Sequence, residues 1–159
     1  MKGFTLLETI ISVSILAAMV VGSLALISKS TQSVYLSQNK LIASYLAQEG
    51  IEIVRNVRDG NWKNGNDWDE DLLDCVNCEM DYTMNVLADE TMEGGDPYLK
   101  LENNFYNYSS GVDKNTIFKR HISVSSVSGE QKQVISEIVW QYRGVDYDLA
   151  VTAFLYNWQ

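Results

Sequence analysis

At 159 residues, 46% of them hydrophobic, the chain has room for one modest domain and an accessory segment, which excludes two independent catalytic domains. Its formal charge of -9 argues against a protein whose main work is gripping nucleic acid, since phosphate binding needs a clustered excess of Lys and Arg. The acid is concentrated: between Asp59 and Asp113 fourteen Asp and Glu stand against only Lys63 and Lys100, a local balance of -12, as expected of a solvated, protruding region.

In chain order, the first element is apolar. Residues 4–28 carry a single charge, Glu8, and as a helix would extend roughly 37 Å at about 1.5 Å per residue. That exceeds the roughly 30 Å of a bilayer core. Beyond Lys29 the pattern becomes amphipathic. Ser37, Lys40, Ser44, Gln48, Glu52, Arg55 and Asp59 recur three or four apart on one face. Tyr35, Ile42, Leu46, Ile53 and Val57 lie on the other, interleaved with Ala43, Ala47 and Gly50, small residues that admit close packing. The spacing predicts one helix over residues 4–58, the first half in lipid and the second, residues 29–58, packed on a domain.

The remainder, residues 59–159, is expected to form that domain. Residues 59–97 are rich in Asn, Asp and Gly and predict an acidic loop with a strand near residues 82–87. Further on, Tyr147, Leu149, Val151, Ala153 and Leu155 occupy alternate positions, as do Val134, Ile138, Trp140 and Tyr142. With turns at Ser128-Gly129 and Arg143-Gly144, residues 117–127, 131–142 and 145–156 predict an antiparallel meander of three strands, joined by a fourth from earlier in the chain. The expected class is α+β, a long helix whose far end is covered by an antiparallel sheet.

The first eight residues, Met1-Lys2-Gly3-Phe4-Thr5-Leu6-Leu7-Glu8, closely resemble the prepilin processing signal of type IV pilins and of the pseudopilins of type II secretion. The resemblance implies a leader of residues 1–3, cleavage between Gly3 and Phe4 by a membrane prepilin peptidase, and N-methylation of Phe4. Glu8 occupies the position of the family's assembly glutamate. A lone carboxylate in an apolar helix costs on the order of a few kcal/mol in lipid unless partnered, and the freed amine of a neighbouring Phe4 would supply that partner. The run Tyr45-Leu46-Ala47-Gln48-Glu49-Gly50 is similar to the second half of the helix in minor, modification-type pilins. The implied fold is pilin-like, and the implied location is the cytoplasmic membrane, then an extracellular filament. Other pilins, an assembly platform with its motor ATPase, and membrane lipid are the implied partners. Where many major pilins carry a proline in the apolar half, this chain has only Gly22 as a helix-weakening residue.

Other readings coexist with these. Thr5-x-x-Glu8 fits a helix capping box, and Ser23-Leu24-Ala25 fits a secretory cleavage site that would leave a chain starting at Leu26. Asp67, Asp69 and Asp71 alternate as in a calcium loop, although Leu72 and Cys78 stand where a glycine and a bidentate Glu belong. Cys75 and Cys78 fit a short disulfide or two free thiols better than a zinc site, for which His121 is the one histidine. Trp62, Trp68, Trp140 and Trp158 suit a core or an adhesive surface. Lys119, Arg120 and Lys132 could form the basic patch of a DNA-uptake pilin, and a membrane-anchored binding module is a further alternative. No catalytic motif or cofactor site is recognisable, so the expected role is structural.

Overall fold

A computed structural model describes residues 5–84, 88–89, 98–108 and 116–158. The leader, with Gly3 and Phe4, lies outside the described residues. Two compact units are distinguished, Met1–Lys40 and Leu41–Gln159.

One helix, α1, spans Leu6–Asn64. Its first turn is capped by Thr5, whose hydroxyl accepts the Glu8 N–H at 3.3 Å. It ends six residues beyond the expected Arg58. Gly60 is carried within the helix, and the stop is Gly65, whose φ of 76° provides the left-handed residue of a closing motif. There the Gly65 N–H bonds the Trp62 carbonyl at 3.1 Å and the Asn66 N–H the Asn61 carbonyl at 3.0 Å, consuming carbonyls the helix leaves open.

In the second unit, β1 (Cys75–Glu79), β2 (Ala88–Asp89), β5 (Phe118–Ser128), β6 (Gln131–Tyr142) and β7 (Val145–Tyr156) form one antiparallel sheet in the order β2-β1-β5-β6-β7. A separate hairpin joins β3 (Lys100–Glu102) to β4 (Phe105–Asn107). The β6–β7 turn lies at Arg143-Gly144, both at positive φ (52° and 76°) as a two-residue hairpin of matching twist requires. The β5–β6 turn falls at Gly129-Glu130, one residue later than expected, because a bulge between Ser126 and Ser128 extends β5. The strand expected near residues 82–87 is not one in its described part. Asp81 instead organises a turn there, its carboxylate accepting from the Thr83 N–H at 2.8 Å and its carbonyl from the Met84 N–H at 3.1 Å. Residues 85–87 lie outside the described set.

The strand joining the meander from earlier in the chain is β1, paired with β5. It bulges between Cys75 and Cys78. Asn77 takes a positive φ of 56°, its N–H bonds Ser123 Oγ at 3.1 Å, and Cys75 and Cys78 are joined by a disulfide across the bulge.

The sheet packs on the second half of α1 through two apolar clusters. Ala43, Leu46 and Ala47 meet Phe118, Ile138 and Trp140 in one; Ile51, Ile53 and Val54 meet Ile122, Val124, Val134 and Leu155 in the other. Of the anticipated packing residues, Leu46 and Ile53 are buried, while Ile42 and Val57 are half-buried against these clusters. Tyr35, placed by sequence on the covered face, is 39% exposed and precedes the span that shares this core. Ile51 and Val54, which the sequence reading omitted, are core residues.

Candidate functional site

The first unit presents apolar side chains without covering them. From Leu6 to Ile27 the large aliphatic residues range from 50% exposed at Ile11 to 79% at Leu6. At roughly 1–2 kcal/mol for the part of each side chain still exposed, covering these twelve, with Met19, is worth on the order of 10–20 kcal/mol. By length and composition this helix can cross a membrane.

The polar groups along it are mostly self-satisfied. Ser12, Ser14, Ser23 and Thr31 each donate a hydroxyl to the carbonyl four residues earlier at 2.8–2.9 Å, and Thr9 donates to the Leu6 carbonyl at 2.8 Å. A hydroxyl bonded within its own helix can enter lipid without losing its partner. Glu8 differs: only the Thr5 half of the anticipated capping box forms. The Glu8 carboxylate makes no hydrogen bond or ion pair among the described residues. Gly22 is helical, and nothing within 4 Å would meet a side chain there.

In the second unit the notable polar feature is a seam between the two apolar clusters. Arg120 falls on the inward parity of β5, with Phe118 before it and Ile122 and Val124 after it, so its side chain points toward α1 and is fully buried. Its guanidinium donates to the Met80 carbonyl at 2.8 Å, to Glu49 at 3.3 Å and to the Leu46 carbonyl at 3.4 Å. It thereby ties helix, sheet and the segment after β1 together. Gly50 makes the approach possible. A Cβ there would collide with Ser136 Oγ and lie 3.1 Å from Arg120 Cδ. Tyr106, on β4, has its phenol pushed above the ordinary value by burial and by the charge of Glu49.

Lys132 is also buried. Its ammonium lies 3.4 Å from Asp69, 3.2 Å from Asp74 and 3.1 Å from Ser126 Oγ. Asp74 is held below the usual carboxylate value, first by the Ser126 hydroxyl and backbone N–H and then by Lys132. Lys119 lies on the opposite parity of β5, 4.8 Å from the Tyr98 ring centroid. The basic patch suggested by Lys119, Arg120 and Lys132 is therefore not assembled: strand alternation separates Lys119 from Arg120, and burial commits Arg120 and Lys132 to internal partners.

The calcium candidate is likewise dispersed. Asp69 is engaged by Lys132, Asp67 and Asp71 are exposed, and successive turns closed by Glu70 N–H to Asp67 O and Leu72 N–H to Asp69 O (both 3.0 Å) turn Leu72 inward. Among the described residues no three His, Cys, Asp or Glu side chains could hold a metal ion. The cysteines are bonded to each other, and His121 pairs across strands with Glu137 at 3.7 Å on the outward face. Trp68 and Trp140 belong to the core, whereas Trp158 is 65% exposed and packs edge-on against Trp62 at 6.0 Å.

Sequence reasoning missed Arg120 and Lys132 as structural residues. The signal was there: each shares a parity with apolar neighbours along its strand. No family model, curated protein or solved structure matches this chain.

Proposed function

We propose that the chain is a type IV pilin-like subunit, a minor pilin or pseudopilin. Residues 4–28 anchor it in the cytoplasmic membrane, where the leader is removed, and the same segment then packs with other pilins in an extracellular filament. Its work is assembly rather than catalysis. The observation that carries this reading is a helix of 59 residues whose first half leaves every large aliphatic side chain exposed while its second half is the spine of an α+β domain. Lipid can cover the first half before assembly and neighbouring helices afterwards.

The uncommitted carboxylate of Glu8 supports the same reading. A charge at the edge of an apolar helix is costly in lipid, and the Phe4 amine freed by the prepilin peptidase is a cation that an adjoining subunit can bring to it. Glu8→Ala is expected to leave membrane insertion and leader removal intact while lowering incorporation into sheared filaments, read by immunoblotting of the sheared and membrane fractions. Incorporation at the parental level would remove Glu8 from the assembly mechanism. The platform and motor ATPase of such systems complete the set of partners.

A further inference from the structure

A groove of about 430 Å³ lies against the last turns of α1, within the usual range of roughly 300–1,000 Å³ for ligand sites. The helix contributes Asn56, Gly60 and Asn64 on one face, the segment after it contributes Asn66 and Asp71, and Tyr82 adds an aromatic ring to the lining.

Residues of this kind are poor choices for a helix that serves only its own stability. Glycine in a helix interior costs about 1 kcal/mol relative to alanine, and asparagine is also unfavourable. Packing does not account for Gly60, since a Cβ built there meets nothing within 4 Å. Its missing side chain opens the groove instead. The contrast with Gly50, where the space is filled by Ser136 and Arg120, is direct.

Nor are the polar groups spent on the fold. Among the described residues the solvent-exposed side chains of Asn56, Asn64, Asn66, Asp71 and Tyr82 make no hydrogen bond or ion pair and are open to a ligand, whereas the buried Asn61 amide donates to the Glu70 carbonyl at 2.6 Å. Three amides, each both donor and acceptor, thus line the groove together with a carboxylate. Beside them the Tyr82 ring, 52% exposed, leans on Phe105, 59% exposed, with centroids 5.4 Å apart. The surrounding sequence, with its local balance of -12, repels anions.

We propose that this groove binds a neutral saccharide. The amides and Asp71 take vicinal hydroxyls, and the Tyr82 ring takes the apolar face of a sugar ring. Phosphorylated, sulfated and sialylated sugars are disfavoured by charge. This inference concerns the globular part alone and stands independently of polymerisation.

The test is an array of neutral hexose and N-acetylhexosamine oligosaccharides, with sialylated counterparts, probed with the full chain in a zwitterionic detergent that has no sugar headgroup. Neutral glycans are expected to be retained. Gly60→Leu, which fills the groove, and an Asn64→Ala/Asn66→Ala double variant should each bind about tenfold more weakly, with thermal unfolding at or above the parent's for Gly60→Leu, which removes a helix glycine, and cooperative unfolding retained by the double variant. Retention of no neutral glycan, retention of sialylated glycans alone, or parental binding by the folded Gly60→Leu protein would each overturn the proposal.

Discussion

The two halves of α1 draw on the same stock of Leu, Ile, Val and Ala, and their surroundings are opposite. Between Leu6 and Ile27 each large aliphatic residue is at least half exposed, whereas Leu46, Ile51, Ile53 and Val54 are no more than 7% exposed. The difference is one of cover. For the second half the chain supplies a sheet with inward parity matched to the helix; for the first, nothing among the described residues does so. Apolar content fixes that a surface must be covered, and only the rest of the fold decides whether the cover comes from within.

Charging the uncovered half should have the largest effect. Leu16→Lys with Val20→Lys, at about 2.5–3.5 kcal/mol for each charge at a helix centre in lipid, is expected to move the chain out of the carbonate-resistant membrane fraction. The same two lysines at the already polar positions Ser37 and Ser44 should leave that fraction unchanged.

Within the covered half the seam is the sensitive point. Arg120→Met removes the guanidinium, leaving the Met80 carbonyl without its donor and Glu49 without its counterion, and should cost about 2–3 kcal/mol, the partial exposure of Glu49 softening the loss. A shift in the urea midpoint of the full chain in detergent measures it. Gly50→Ala should cost about 1–3 kcal/mol by overpacking against Ser136 and Arg120, read from the same midpoint.

The smallest effect depends on pH. The Asp74 carboxyl is held below its unfolded value by Ser126 and Lys132, so its contribution is present above an unfolded pKa of about 3.9 and is lost as pH falls through the folded value. Asp74→Asn should therefore be slightly less stable than the parent at neutral pH, with the gap closing below about pH 4. Exposure of this carboxylate keeps the effect small.

Periodicity was enough to read the apolar helix and the β6–β7 hairpin, because long elements repeat their signal many times. Short or interrupted ones do not. The β3–β4 hairpin has three-residue strands, and its one clear mark is Asn103-Asn104, both at positive φ in the turn. In β1 the alternation is broken by the bulge at Asn77, so a strand reads as loop. Gly60 resembles a helix stop in sequence, yet the helix ends at Gly65, where the closing hydrogen bonds form. Arg120 and Lys132 were obscured for another reason: charge is ordinarily solvated, and only strand parity reveals that these two point inward. Glu8 stands out in sequence as the single charge within residues 4–28, and of the local explanation by a capping box only the Thr5 half forms.

The central claim is that the uncovered helix is trimmed and then covered by copies of related chains. Intact-mass analysis of this protein from filaments sheared off native cells tests it most directly. The account predicts a chain beginning at N-methylated Phe4 in that fraction. A chain retaining Met1 and Lys2, or one beginning at Leu26 and found free in solution, would contradict it.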